Sequence, residues 1–392
     1  MDLADFQTGG VNVATSASSD RQEWPEDATR SDPLDWKSRS FSDSSGPLKG
    51  VHQIERNVAF SGWEITIPTP ESQRTQNVEI PSVQSPAPRR LRSTQIAGRT
   101  RISDLPITVP RGASSVDADF SYDAEFSKLL SRRRDVNVVV AALEVARDAQ
   151  PRLDFGHTLE WIARRGEELS GPVARARNER QILKELSRCL SGMHGLHGDR
   201  TAFDLPESSY INRVIETGVG IPISLSVVYM GVAQAAGIEL TGVATPMHFL
   251  TRFDASEGPL FVDAFHAGQI LKYRDCVTWL ESISGLDDSQ VEQSLEPASP
   301  RDIILRMLNN LKAVHLRQDR WEHVWQVQRR LTALMPGSYD QQRDLALVAI
   351  KSHRPGVAID LLEDCLSVCE EAEKALLLTH LQAAERMLAG WN

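Results

Sequence analysis

The sequence predicts an α+β fold in which helices pack on a small antiparallel sheet, preceded by a disordered tail and followed by all-α helical repeats. Near Asp117, a composition rich in Ser, Thr, Pro, Gln and Arg gives way to apolar residues at helical spacing. The spacing becomes two between residues 239 and 265 and is helical again from Arg301 onward. The predicted domains are a tail at 1-117, a mixed domain at 118-290 and a repeat domain at 300-392.

Charge and cysteine content exclude several classes of protein. The chain has 392 residues and a formal net charge of −10, whereas a protein that coats nucleic acid needs a basic surplus. Its four cysteines form no Cys-x-x-Cys pair, which argues against a disulfide scaffold and a four-thiolate zinc site. Acidic residues stand near the amino terminus, where a signal peptide carries basic ones. We therefore expect a cytoplasmic protein with no nucleic-acid partner.

The segment 1-117 has few apolar residues at either regular period. Such a segment buries too little apolar surface to offset the entropy lost on folding. We therefore predict that it is a disordered, low-complexity tail.

Helix start signals place three helices early in the mixed domain. Asp135 and Asp154 precede apolar runs of helical period, and Pro172 stands where a first-turn proline is tolerated. Ser208 is the predicted N-cap of a short helix over SSYINRVIE. A further helix over residues 222–236 ends at Gly237, which suits a left-handed cap.

The uncharged stretch 217–238 is about as long as a helix that spans a bilayer. Pro222, Gln234 and several glycines lie within it, and no basic cluster marks either flank. We therefore predict a buried core helix and no membrane partner, with a membrane span as the alternative.

Segments of period two follow and predict the strands ELTGVAT, MHFLTRF and PLFVDAF. The last two are joined by a five-residue turn, Asp254 to Gly258, of the hairpin type. A polar stretch between Gly285 and Pro300 is typical of a linker.

The last part of the chain is predicted to repeat. Helix pairs of roughly 34 residues, at 301–334 and from Pro336 onward, have the length of tetratricopeptide units. This period aligns Leu311 with Leu345. A plain helical hairpin is the alternative, because the signature glycine and alanine positions are poorly kept.

His248 lies on one predicted strand and Asp263 on the next. If the hairpin turns about Ala255 and Ser256, the two residues stand directly opposite each other on one face of the sheet. A carboxylate orients the histidine base in this way in acyl-transfer enzymes. A structural bridge between the strands would have the same pattern, so both interpretations stay open.

The run SSYINRVIETGVGIPISLSVVYMGVAQAAGIELTGVATPMHFLTRF, followed by LFVDAF, resembles the SirB-type branch of the transglutaminase-like superfamily. It contains that branch's Tyr-x-Asn segment, Gly-x-Pro-Ile-Ser-Leu motif, long apolar helix, His-Phe-Leu strand and Val-Asp strand. The resemblance extends from about Asp123 to the C-terminus. It implies a papain-like core, and it implies tetratricopeptide-like helices at the end of the chain.

The wider superfamily implies a Cys-His-Asp triad, with the cysteine at the N-terminus of the helix before the sheet. His248 and Asp263 match the second and third members. No cysteine matches the first: its place falls near Pro222, and the nearest hydroxyl is that of Ser224. Ser224 is therefore the candidate nucleophile, with a helix cap or a core hydroxyl as the alternative.

Asn212 and Arg213 match the same family's Tyr-x-Asn-Arg segment and are candidate cleft-binding residues. The alternative is a buried amide that bonds loop carbonyls beside an arginine at the rim. Neither residue is assigned a chemical step.

Metal-ligand residue types also occur at Cys189, His194, His197 and Asp199. They span a predicted helix end and a glycine-rich loop, and the resemblance implies no metal there. We therefore predict no metal and no cofactor.

Two functions of different classes follow. A degenerate cleft without a cysteine, joined to helical repeats, predicts a non-catalytic scaffold that binds another protein through the repeats or the cleft. The surviving pair instead favours a hydrolase or acyltransferase that uses Ser224, His248 and Asp263. The nucleophile discriminates between them, and the missing cysteine leads us to favour the scaffold.

Overall fold

The computed structural model describes residues 120–390, so the predicted disordered tail at 1-117 lies outside the described residues. Within that range the chain forms a mainly helical domain with a small antiparallel sheet, followed by helical repeats. The predicted fold class is therefore confirmed over the part of the chain that is described.

The N-terminal helices are α1 (Ala124–Leu130), α2 (Val138–Ala149), α3 (Phe155–Ala174) and α4 (Glu179–Ser187). Asp154 caps α3 as predicted, because its carboxylate accepts the N–H of Gly156 at 2.8 Å. The prediction that Pro172 begins the next helix is wrong. Pro172 lies in the last turn of α3, where only two more helical residues follow the bond that its missing N–H removes, and α4 begins at Glu179. The stronger start signal is Asn178, whose side chain accepts the N–H of Gln181 at 2.9 Å.

The next helices are α5 (Ile211–Thr217) and α6 (Pro222–Ala235). The predicted cap at Ser208 is wrong, because Ser208 is buried in a 3-10 turn over Pro206–Ser209 and α5 begins after Tyr210. The Ser208 carbonyl instead accepts the N–H of Ile221 at 3.2 Å. This bond joins the 3-10 turn to the start of α6.

The helix predicted to be central and buried is α6. It ends as predicted at Gly237, whose φ of +72° is left-handed. A Cβ on Gly166 of α3 would lie 2.6 Å from the Cβ of Ala235, so only glycine permits this close approach of the two helices. No helix within residues 120–390 combines the length and the apolar character needed to cross a bilayer.

The described residues form two small sheets, one before α6 and one after it. The parallel pair consists of β1 (His197–Gly198) and β2 (Val219–Gly220). The antiparallel sheet contains, in spatial order, β3 (Thr241–Val243), β4 (Leu250–Ala255), β5 (Gly258–Asp263) and β6 (Gln269–Lys272). The first three of these strands were predicted, whereas the four residues of β6 are too few for a recognisable period.

The β4–β5 hairpin is tighter than predicted. Ala255 pairs with Gly258, so two residues form the loop where five were predicted. The register shifts accordingly, and His248 lies before β4 begins rather than opposite Asp263. The prediction of direct opposition is therefore wrong, because a two-residue loop matches the twist of paired strands better than a longer one.

The helices α7 (Tyr273–Ser284) and α8 (Asp288–Ser294) pack against the sheet. The predicted linker at 285–300 thus contains a helix. Asp287 caps α8 by accepting the N–H of Gln290 at 3.0 Å, and Val291 is buried. A single apolar residue in a polar run was too weak a signal for this helix.

The remaining helices are α9 (Pro300–Arg317), α10 (Trp321–Leu334), α11 (Tyr339–Lys351), α12 (Pro355–Val368) and α13 (Glu371–Ala389). The first four form the two predicted helix pairs, and the aligned residues Leu311 and Leu345 are both buried. Each pair buries an apolar stripe against its neighbour, as stacked repeats require.

The first of these pairs also completes the core of the mixed domain. Ile304 and Leu308 of α9 and Leu331 of α10 belong to the same hydrophobic cluster as α2, α3 and α6. Arg330 of α10 is buried and reaches the carboxylates of Asp123 and Asp148, each at 2.7 Å. The boundary expected near Pro300 therefore separates two sequence patterns but not two hydrophobic cores.

Candidate functional site

The predicted His248 and Asp263 pair is formed, although by a different route from the one predicted. His248 lies in the turn before β4, and Asp263 is the last residue of β5. Nε2 of His248 lies 2.9 Å from Oδ1 of Asp263. The two side chains are 7% and 2% exposed. The predicted hydrogen-bond distance is thus confirmed, and the contact runs from the turn to the end of the neighbouring strand.

A second histidine, which sequence reasoning missed, completes the group. Nδ1 of His266 lies 2.7 Å from the other carboxylate oxygen of Asp263. The backbone N–H groups of Phe265 and His266 also donate to Oδ1, at 3.1 and 3.2 Å. An aspartate that accepts N–H groups two and three residues ahead forms an Asx turn, and this spacing was the available signal for His266.

The two histidines lower the pKa of the Asp263 carboxyl group that lies between them. Burial alone would raise the pKa of Asp263, but the hydrogen bonds and charges of His248 and His266 outweigh it and lower that pKa. The hydrogen bond to Asp263 raises the pKa of His266 against the opposing effect of burial. The site therefore keeps a buried anion that favours an imidazolium beside it.

Aromatic rings surround the His248 imidazole. The Trp279 ring meets it edge-on with centroids 5.0 Å apart, and Phe265 does so at 5.9 Å. Phe203 lies 5.9 Å from Phe265 and is exposed, as is Met247. The site thus combines a polar interior with an exposed apolar rim.

The backbone on both sides of the site adopts sparsely populated conformations. Met247, directly before His248, has a φ of +59°, and Ala267, directly after His266, has a φ of +53°. Non-glycine residues adopt such values at a cost and where the surroundings over-determine them. The positions of both histidines are therefore imposed by the fold.

Ser224 does not join this group. Its hydroxyl is fully buried, donates to the Ser208 carbonyl at 2.6 Å and accepts the N–H of Ile221 at 3.1 Å. These partners are backbone groups of the 3-10 turn and of Ile221, the residue before α6. The arrangement is the capping alternative, with the hydroxyl engaged before any substrate could reach it.

No thiol replaces the missing nucleophile in the part of the chain described. Asp263 is the sole hydrogen-bond partner of the His248 ring within residues 120–390. Cys276 is buried in the cluster of α7, α8 and the sheet. Burial, reinforced by the negative charges of Asp263 and Asp275, raises the pKa of its thiol to about 12. Cys276 is therefore an unreactive protonated thiol at neutral pH.

Asn212 and Arg213 make their side-chain contacts with other residues. The Asn212 amide is buried and donates to Oε1 of Gln150 at 2.8 Å, while Arg213 pairs with Glu216. Neither makes a hydrogen bond or ion pair with the two histidines or Asp263 among the described residues. Their placement in a cleft beside His248 stays a prediction.

Among residues 120–390, two groups contain enough ligand atoms for a metal ion. In the first, His248, Asp263 and His266 would have to exchange their mutual hydrogen bonds for metal bonds. The second joins His194 and Cys189 through Glu168. The sequence suggested His197 and Asp199 as further ligands beside Cys189 and His194. In the structure, His197 instead bonds a nearby carbonyl, and Asp199 caps a turn. The absence of a metal and a cofactor stays a prediction.

Comparison with known proteins agrees with this architecture. Residues 154–309 match the transglutaminase-like superfamily, and residues 311–383 match the tetratricopeptide repeat. The resemblance recognised in the sequence and the predicted repeats are therefore confirmed. No solved structure matches the chain.

Several curated proteins are similar to it. A UPF0162 protein of Xylella fastidiosa is 34% identical over 232 residues, which are 56% of this chain and 80% of that protein. A UPF0162 protein of Vibrio cholerae is 27% identical over 181 residues, 46% of this chain and 66% of that protein. The F-box only protein 21 of Homo sapiens is 30% identical over 104 residues, 24% of this chain and 17% of that protein.

Proposed function

This chain belongs to the UPF0162 family, and from that premise we propose that it is a non-catalytic scaffold that binds another protein. Residues 154–309 match a transglutaminase-like domain, and residues 311–383 match tetratricopeptide repeats. The observation that carries the proposal is a histidine base without a nucleophile: the His248 ring bonds only Asp263 within residues 120–390, and Ser224 is engaged by backbone groups. Acyl transfer by a covalent route requires a nucleophile within reach of the base.

Two surfaces could receive the partner. The first is the apolar rim of the histidine site, with exposed side chains at Phe203 and Met247. The second lies on the last repeat helices, where Val368 and Leu376 are exposed. Exposed apolar side chains that cluster on repeat helices are typical of protein contact sites. The proposal includes a cytoplasmic location, since all four thiols are free, and it includes no nucleic-acid or membrane partner.

The test compares variants of the full chain in quantitative affinity capture from a cell extract. Val368→Asp and Leu376→Glu should each deplete the same captured protein, while Leu159→Glu, at an exposed leucine of α3, should not. His248→Ala should keep the protein folded and the partner bound if the repeats carry the contact. Capture that is identical in all four variants would exclude the repeat surface, and capture that is also unchanged in Met247→Asp, at the exposed rim, would contradict the scaffold proposal.

A hydrolase or acyltransferase is the second candidate, favoured by the retained His248 and Asp263 hydrogen bond. If Ser224 served as its nucleophile, Ser224→Ala and His248→Ala should each abolish turnover of ester, amide and glutamine-donor substrates, because the two would act as one unit. Turnover that survives His248→Ala would exclude this mechanism. Turnover that both substitutions abolish in folded protein would instead overturn the non-catalytic proposal.

A further inference from the structure

A cavity of about 330 Å³, whose lining does not include His248, Asp263 or His266, lies where the first repeat meets the mixed domain. Its walls come from the end of α2, from the 3-10 turn and α5, and from the turn between α9 and α10. This volume is at the lower end of the roughly 300 to 1,000 Å³ found for small-molecule sites. It is large enough for a charged group together with a small organic part.

The charged groups around the cavity are mostly cationic. Arg213 and Arg320 both line it, and the carboxylate in its lining is that of Glu207. Arg320 is exposed and forms no ion pair with any residue in the range 120–390. Arg213 pairs with Glu216, which does not line the cavity. Guanidinium groups present several N–H donors in a plane and therefore suit the oxygens of phosphate and carboxylate groups.

The inner wall contains an unsatisfied hydrogen-bonding atom. His315 is 1% exposed, and its Nε2 lies 3.2 Å from the hydroxyl of Tyr210. Its Nδ1 is buried and has no hydrogen-bond partner. Buried polar atoms without a partner are rare in native proteins and call for an explanation, such as a ligand or a bound water.

The same wall is aromatic. Burial, with the charges of His323 and Arg320, lowers the pKa of His315 to about 4, and burial raises that of Tyr210. His323 stacks on His315 with ring centroids 4.8 Å apart. A flat aromatic surface therefore stands beside the arginines, and it could receive the organic part of a ligand whose anionic part meets the guanidinium groups.

We propose that this cavity binds a small organic molecule carrying a phosphate or carboxylate group, which Arg320 and Arg213 hold against the stacked His315 and His323 rings. Nothing in this inference depends on the scaffold function. The ligand would touch α5 and the α9–α10 turn together, and so would connect the mixed domain to the first repeat.

Isothermal titration of the full chain tests the proposal with glycerol phosphate for the phosphate class and succinate for the carboxylate class, at constant ionic strength. Binding by either supports it and identifies the class. Arg320→Gln should raise the dissociation constant about tenfold or more, because it removes a charge-assisted contact. Arg320 precedes α10 and caps it through backbone hydrogen bonds, with no side-chain cap. The Arg320→Gln variant keeps these backbone bonds and should therefore fold.

Arg386→Gln, at an exposed arginine of α13 outside the cavity, is the matched control and should bind as the parent chain does. His323→Gln removes the ring stack while keeping a polar side chain, and should also weaken binding. Failure of both probes to bind, or binding that is equal in the parent and Arg320→Gln chains, would overturn the proposal.

Discussion

Asp263 illustrates how one buried carboxylate sets the properties of its neighbours. Its two oxygens meet His248 at 2.9 Å and His266 at 2.7 Å. A lowered carboxyl pKa stabilises the fold above the unfolded value of about 4, and this contribution is lost as the pH falls below it. The raised pKa of His266 contributes fully below the unfolded value of about 6.5, and this contribution is lost as the pH rises through the folded value. The group therefore stabilises the fold most between pH about 4 and about 6.5.

We expect Asp263→Asn to lower the free energy of unfolding by about 1 to 3 kcal/mol at pH 6, since the buried imidazole of His248 loses a charged acceptor. The pKa of His266 should fall towards its ordinary value, which NMR titration of the ring measures. Denaturant unfolding between pH 5 and 8 should show a weaker pH dependence in the variant than in the parent. Asp254→Asn, at an exposed aspartate of β4, is the control, and an equal effect there would contradict this reading.

Two serines that are two residues apart in α6, Ser224 and Ser226, allow a direct test of the role of Ser224. Ser224→Ala removes the hydroxyl that bonds the Ser208 carbonyl and the Ile221 N–H, and should cost about 0.5 to 1.5 kcal/mol of unfolding free energy, because these two backbone groups keep their bond to each other. Ser226 is equally buried, but its hydroxyl has no partner in the structure. Ser226→Ala should therefore be nearly neutral or stabilising. Thermal unfolding of both variants measures the difference, and equal losses would refute the capping role.

At the residue scale, the sequence was sufficient for the proximity of His248 and Asp263, since both motifs of the family are present. It was insufficient for His266, because the third contact depends on a turn geometry that period and composition do not encode. Ser224 could be placed only as one of two alternatives, because the partner of its hydroxyl lies 16 residues away in sequence. Contacts of that kind come from tertiary packing.

At the scale of elements, two glycines with different surroundings predict different outcomes. Gly198 of β1 lies under the Phe265 ring, and a Cβ there would meet that ring at 2.0 Å. A Cβ on Gly237, after α6, would have nothing within 4 Å. The left-handed φ of Gly237 is therefore the sole reason to expect a cost from a side chain there. Gly237→Ala should cost about 1 to 2 kcal/mol from backbone strain.

Gly198→Ala should be more destabilising and should move Phe265, and with it the turn that holds His266. Thermal unfolding measures the first effect, and NMR titration of His266 the second. An unchanged titration of His266 in Gly198→Ala would show that the parallel strand pair does not support the site.

Some predicted boundaries of helices and strands were wrong because another residue nearby gave the stronger start or pairing signal. Pro172 resembled a helix start, yet Asn178 caps the helix. The five residues assigned to the hairpin turn contain a two-residue loop, because strand pairing continues to Ala255. The helix α6 was correctly placed, since Pro222 at its start, its long apolar run and Gly237 after its end agree. The first helix pair, predicted at 301–334, consists of α9 and α10.

At the scale of the molecule, the core shared with the first helix pair predicts the result of truncation. A chain ending at residue 298 lacks Ile304, Leu308 and Leu331, which lie in the main cluster. It also lacks Arg330, so Asp123 and Asp148 lose a buried partner. We expect this chain to be unfolded or aggregated, as judged by circular dichroism and size-exclusion chromatography.

A chain ending at residue 337 keeps α9 and α10 and is the matched control. It should unfold cooperatively, because the helices that it loses pack mainly in separate clusters. A chain ending at 298 that folds as well as this control would show that the mixed domain is independent of the repeats.

The shared core has a consequence for biosynthesis. A ribosome that has made the whole mixed domain has not yet made α9 and α10, whose apolar residues close its main cluster. At roughly 5 to 20 residues per second, the interval from residue 298 to residue 334 lasts roughly 2 to 7 seconds. During that time, the nascent chain exposes the apolar surface that those helices later cover. Rare codons or a pause in this interval would lengthen the exposure, so this stretch of the message is where translation speed should influence the yield of native protein most.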